Sequence, residues 1–182
     1  MAEALINNGQ VASGREAEDR AMAVEWVVAA GVLVAASVVL WGFSAWMTQR
    51  IEAAVPINGR FVEVDGERFH YVEEGQGPPL VMIHGLMGSS RNLTYALSSQ
   101  LRDRFRVITI DRPGSGYSSR HAGTAADLPA QARQIAAFIK TLDLDKPLVL
   151  GHSLGGAIAL ALALDHPQAV SGLILVEPLT HP

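Results

Sequence analysis

The sequence predicts an α/β fold: a mostly parallel sheet with helices on both faces, preceded by one transmembrane helix. Three observations predict it. From residue 79 onward, short apolar runs alternate with helix-patterned segments, the pattern of parallel strands buried on both faces. A pentapeptide, Gly151-His152-Ser153-Leu154-Gly155, joins one such run to one such helix. Trp26 to Met47 is 22 residues without a charge.

Composition narrows the functional classes. At 182 residues the chain holds one domain plus extras. It has no cysteine, which excludes disulfides and thiolate metal sites. Net charge is −4 and there is no basic run, so nothing supports nucleic-acid binding. No cofactor or metal is implied.

Four segments follow in order. Residues 1–25 are polar and small and read as a disordered tail. Residues 26–47 read as a single-pass transmembrane helix, which at 1.5 Å per residue would be about 33 Å long and cross a hydrocarbon layer of about 30 Å. All three tryptophans lie in it, Trp26 at one end and Trp41 and Trp46 towards the other, where an interfacial belt belongs. A cleaved signal peptide fits less well, because the preceding stretch is long and acidic (Glu16, Glu18, Asp19, Glu25). Arg15 and Arg20 before the span balance Arg50 and Arg60 after it, so the side of the soluble domain is left open. Residues 48–58 form a linker, and 59–182 the soluble domain.

Within that domain, Phe61–Val64 and Arg68–Val72 flank Asp65-Gly66, a hairpin pattern. A strand is expected over Leu80–Ile83, a helix around Asn92–Leu101, and a strand over Arg106–Ile110. A helix around Pro129–Leu142 precedes the strand Leu148–Leu150. The helix after Ser153 reaches about Leu164 and is stopped by Asp165-His166-Pro167. Gly172–Val176 is the last strand.

The chemistry is concentrated in three loops. A serine between a strand and a helix, flanked by glycines, reads as a nucleophile elbow. Gly151 and Gly155 let strand and helix approach where a Cβ would clash, and the helix start favours developing negative charge. His84-Gly85-Leu86-Met87-Gly88 follows another strand and suits the loop that donates a second amide to an oxyanion. The candidate donors are the backbone N–H groups of Leu86 and Leu154. The His84 side chain reads as a support for its loop, not a base. In Asp111-Arg112-Pro113-Gly114-Ser115-Gly116, the first two residues read as ties for a glycine-bearing loop beside the site.

With these motifs in this order, the chain from about Asn58 onward resembles the α/β-hydrolase family, nearest the branch of haloperoxidase-like, epoxide-hydrolase-like and ester-cleaving members. In halide- and epoxide-opening members the nucleophile is an aspartate. Here that position is Ser153, so the resemblance implies acyl chemistry on a small ester or acyl substrate. It also implies the order nucleophile, acid, histidine. Six histidines are present: His70, His84, His121, His152, His166 and His181. None stands where the family places its base. Glu177 ends the last strand and carries two readings. It is either the triad acid, which some members hold there and more hold one strand later, or an ordinary strand-end carboxylate. The expectation is therefore the first half of a membrane-anchored serine hydrolase, truncated after its sixth strand and a poor catalyst by itself. The alternative is an inactive hydrolase-like membrane module that at most binds ligands or partners.

Overall fold

The computed structural model describes the backbone of residues 2–54 and 56–180, with side chains from Glu25 onward except at 52 and 54. The chain divides into two compact units, 1–57 and 58–182. The first is one helix, α1 (Ala2–Ala54). Glu25–Ile51 within it is long and apolar enough to cross a membrane, and its side chains are exposed. The tail at 1–25, expected to be disordered, instead continues α1 back to Ala2. The physical reason is propagation: adding residues to a helix that already exists is far easier than nucleating one. The alanines and glutamates of this stretch outnumber Gly9 and Gly14.

The second unit is a six-stranded sheet in the order β1-β2-β4-β3-β5-β6. β1 (Arg60–Val64) and β2 (Glu67–Glu74) form the expected hairpin. Its turn residues Asp65 and Gly66 both have positive φ, which a two-residue hairpin turn demands. β2 runs antiparallel to β4 (Arg106–Ile110). β4, β3 (Pro79–Ile83), β5 (Leu148–His152) and β6 (Gly172–Val176) are mutually parallel.

Alternation along β3 divides the core. Val81 and Ile83 join Phe69, Ile108, Ile135, Phe138 and Ile158 under α4 (Leu128–Thr141) and α5 (Leu154–Asp165). Leu80 and Met82 join Val107 and Leu150 on the other face, beneath Leu93 and Leu97. That cover is a composite helix: α2 (Ser90–Leu93), a π turn over Thr94–Ser98, and α3 (Ser99–Leu101). α4 starts where Asp127 accepts a hydrogen bond from the Ala130 N–H at 2.8 Å, a side-chain cap. At the β6 edge, Ile174, Leu175 and Val176 remain exposed.

Candidate active site

The site grows from the register of two parallel strands. Ile83 pairs with Gly151, so the next residues of both chains emerge side by side at the carboxyl end of the sheet. Ser153 follows with φ 54 and ψ −118, a conformation that costs a non-glycine residue about 1–3 kcal/mol. The surroundings hold it there. The Ser153 N–H donates to the Val176 carbonyl at 3.0 Å, and its own carbonyl accepts from the N–H groups of Gly156 at 2.9 Å and Leu179 at 3.0 Å. A Cβ on Gly151 would lie 2.6 Å from the Gly156 Cα, and one on Gly155 2.7 Å from the His84 carbonyl oxygen. Those contacts are impossible for any larger residue, so the glycines let α5 begin against both strands.

The same closeness brings the two candidate amides together. A Cβ on Gly85 would be 3.1 Å from the Ser153 Cβ, which puts the Gly85–Leu86 peptide directly beside the serine. Among the described residues, neither the Leu86 nor the Leu154 N–H is hydrogen-bonded to protein. A cavity of about 120 Å³ is lined by His84, Gly85, Leu86, Asn92, His152 and Ser153. A larger one of about 680 Å³ lies at the opposite end of the sheet, where Lys140, Lys146 and His166 line it. It contains no hydroxyl or thiol nucleophile.

His84 is buried and both ring nitrogens are engaged. Nδ1–H donates to the Gly85 carbonyl at 2.8 Å. Nε2 accepts the Arg112 backbone N–H at 3.1 Å. That pairing fixes a neutral tautomer. Burial pulls its pKa below the ordinary histidine value, and the Arg112 charge adds to this against the Gly85 bond and the Asp111 charge. A ring with no free lone pair is a support for the loop and cannot take a proton from Ser153.

Asp111 and Arg112 anchor the third loop. The buried Asp111 carboxylate accepts from the Ser90 N–H at 2.6 Å and the Tyr117 N–H at 3.0 Å, and pairs with His70 Nδ1 at 2.8 Å. Gly116, at φ 55, packs directly on that carboxylate, where a Cβ would overlap it. The Arg112 guanidinium is buried and donates to the Gly85 carbonyl at 3.0 Å and to Gln131 Oε1 at 2.9 Å. Burial lowers its pKa, with the charge of Arg120 adding to that.

Two anchors escaped the sequence reading. His70 faces the Asp111 carboxylate with one ring nitrogen and the Asn58 carbonyl with the other. Glu67 binds the Ser119 and Thr124 hydroxyls and the His121 N–H, each at 2.8–2.9 Å. Burial opposes its charge, but those donors outweigh burial and hold its carboxyl below the ordinary value. Both lie on β2 and reach partners in or beyond the loop after β4, about forty to fifty-seven residues away, contacts that no local pattern reveals. The one hint is His70, a polar residue inside the strand-like run Arg68–Val72.

Glu177 lies one residue beyond the His152–Val176 pair, exposed and at φ 44. Among the described residues it makes no ion pair or hydrogen bond, and no histidine bonds to Ser153. His121 is exposed beside Glu67. His181 lies outside the described residues. No group of three metal-ligating side chains occurs among the described residues.

Known proteins match this architecture. Residues 78–182 match the alpha/beta hydrolase fold family. Haloalkane dehalogenase 2 of Mycobacterium tuberculosis is 37% identical over 123 residues, 66% of this chain and 42% of that protein. The chain thus spans well under half the length of this relative. Among solved structures, a membrane phospholipase A described as a bacterial virulence factor has a TM-score of 0.63 at 29% identity, covering 81% of this chain and 49% of that one. A Pseudomonas putida N-formylmaleamic acid deformylase has a TM-score of 0.60 at 31% identity, covering 66% of this chain and 47% of that one. The matched strands, the helix-start serine and the loops around it agree on one conclusion: the chain belongs to the alpha/beta hydrolase family.

Proposed function

We propose that this chain carries the nucleophile and oxyanion half of a membrane-tethered serine hydrolase, acting on an ester or related acyl substrate through an acyl-Ser153 intermediate. The observation that carries the reading is Ser153 itself, held at φ 54 at the head of α5 beside two amides without protein acceptors. Attack by its Oγ on an acyl carbonyl forms a C–O bond and moves the carbonyl electrons onto oxygen. Leu86 N–H and Leu154 N–H then meet that oxyanion. Collapse breaks the bond to the leaving group, which departs as an alcohol or amine carrying the serine's proton, and water later cleaves the acyl-serine to the acid and the free hydroxyl.

The likeness to a dehalogenase does not carry over to halide displacement. A serine that attacked an alkyl halide would form an ether, which water does not cleave under these conditions. A carboxylate nucleophile would form an ester, which it does. Acyl chemistry is the reading that lets Ser153 turn over.

A serine hydroxyl without an adjacent base is a weak nucleophile. Since no described histidine bonds to Ser153, the 182-residue chain should turn over p-nitrophenyl esters well below about 1 s⁻¹. This observation also favours a second reading, a hydrolase-like module that binds without catalysis. A fluorophosphonate probe on the full chain in detergent separates the two. Slow labelling abolished by Ser153→Ala supports the enzyme reading, and labelling that survives the substitution sinks it. The tether, Trp26 to Met47, is tested by washing isolated membranes with carbonate. Release of intact chain into the soluble fraction would count against it.

A further inference from the structure

We propose that Arg112 is a positioning residue for the oxyanion: together with His84 it clamps the Gly85 carbonyl and thereby aims and polarises the Leu86 N–H of the same peptide. The inference rests on the reading of Ser153 as nucleophile and goes beyond it by giving a buried charge a role.

The Gly85 carbonyl and the Leu86 N–H belong to one trans peptide plane and point in opposite directions. Three donors converge on that carbonyl: His84 Nδ1 at 2.8 Å, Arg112 Nη2 at 3.0 Å and, more loosely, Gly88 N at 3.4 Å. Fixing the oxygen fixes the plane, and fixing the plane fixes where the N–H points. Hydrogen bonds to a carbonyl also polarise its amide, so the N–H becomes a stronger donor. One of the three donors is a cation, and charge-assisted bonds are the stronger kind.

The surroundings of Arg112 make a plain structural tie an inadequate account. Its guanidinium is buried, yet among the described residues it has no carboxylate partner. The neighbouring Asp111 is committed to His70, Ser90 and Tyr117. Among the described residues the Arg112 Nε has no hydrogen-bond partner. An unpaired buried charge is destabilising, and a neutral amide would tie the loop at less expense. Placed behind the Leu86 amide, the charge acts across a single peptide in a water-poor setting, where electrostatic effects are strongest. The guanidinium is itself held, because Gln131 accepts from Nη1 and donates to the Ala126 carbonyl at 2.7 Å.

The test uses the full chain in detergent micelles. In the ligand-free protein, Arg112→Met should move the Leu86 amide proton upfield, while the Leu154 amide stays in place. A merely structural loss would disturb both. Phenylboronic acid, which forms a tetrahedral anion on a serine hydroxyl, then reads the oxyanion directly by boron NMR. Arg112→Met should weaken its Kd about tenfold, less than the roughly 10²–10³ lost when an oxyanion donor is removed outright. Arg112→Lys should recover part of that, and Gln131→Leu, which releases the guanidinium along with the Ala126 carbonyl, should lose less than Arg112→Met. If Arg112→Met does not fold, those two variants carry the same readouts. An unchanged Leu86 amide, or an unchanged phenylboronate Kd in a wild type that does form the adduct, overturns the inference alone. A wild type whose boron spectrum equals that of Ser153→Ala overturns the nucleophile reading, and this inference with it.

Discussion

Two carboxylates stand just beyond the carboxyl ends of the parallel strands, and they could hardly differ more. Asp111, after β4, is fully buried and holds two backbone amides and an imidazole. Glu177, after β6, is exposed and bonds to nothing among the described residues. The difference extends to their neighbourhoods. Around Asp111 every loop is pinned: the β3 loop by His84 and Arg112, the β4 loop by Glu67 and His70. Around Glu177 the strand edge is open and apolar. The loops on the side of the site that would bind an oxyanion are therefore pinned by buried hydrogen bonds, whereas the side that would orient a base is only a carboxylate in solvent.

The largest effect should come from the buried member. Asp111→Ala leaves His70 facing a void and two amides without acceptors, and breaking a buried pair in this way costs about 3–5 kcal/mol. Denaturant unfolding of the detergent-solubilised chain measures it. A loss below about 1 kcal/mol, the range of a surface change, would break the comparison at its stronger end.

Next comes the glycine that lets β3 and α5 touch. Gly155→Val places carbon 2.7 Å from the His84 carbonyl, and the forced separation should cost about 1–3 kcal/mol. It should also pull Leu86 away from Ser153 and slow fluorophosphonate labelling of the surviving folded protein. Labelling at the wild-type rate would show that the two loops need not be in contact.

A smaller, pH-dependent effect belongs to His84. Its folded pKa is depressed, chiefly by burial, so the unfolded chain takes up a proton first. The contribution is complete above the ordinary histidine value near 6.5 and is lost as pH falls from there through the lowered folded value. Glu67 acts in the same direction but only below its ordinary value of 4.5. Melting temperatures between pH 7.5 and 5 should thus fall in the wild type and fall less steeply in His84→Asn. Parallel slopes would mean that His84 is not held neutral.

How much of this was legible beforehand follows from the range of each interaction. Strands β3 to β6 and helices α4 and α5 announce themselves in runs of local pattern, and Ser153 in a pentapeptide whose first glycine is required by contacts a few residues away, while its second, Gly155, is required by the distant Ile83 and His84. The π turn at Thr94–Ser98 left no such mark, because backbone slippage within a helix depends on what packs against it. His70 reads as a strand residue, because its partner Asp111 follows β4, which reaches it only through sheet topology. The Arg112 bond to Gly85 is equally non-local: the loop was legible as a tie, but not what it tied to. The helical course of residues 2–25 is not legible in their composition, because it depends on propagation from the apolar helix that follows.

The smallest effect should come from Glu177, and it tests the comparison from its weaker end. An exposed side chain without partners contributes little to folding, so Glu177→Ala should change stability by no more than about 0.5 kcal/mol. Its effect on chemistry should be equally slight in this chain. The acid of a serine triad acts through an imidazole, fixing its tautomer and stabilising its charge. Without an imidazole between Glu177 and Ser153, the carboxylate has nothing to orient, and its solvent-exposed charge is a weak influence. Fluorophosphonate labelling of Ser153 in Glu177→Ala should therefore match the wild type within about twofold, well inside the 10²–10⁴ that general base catalysis contributes. A larger loss would mean that Glu177 already acts on the serine through a histidine of this chain, and His181, four residues on, would be the first to replace.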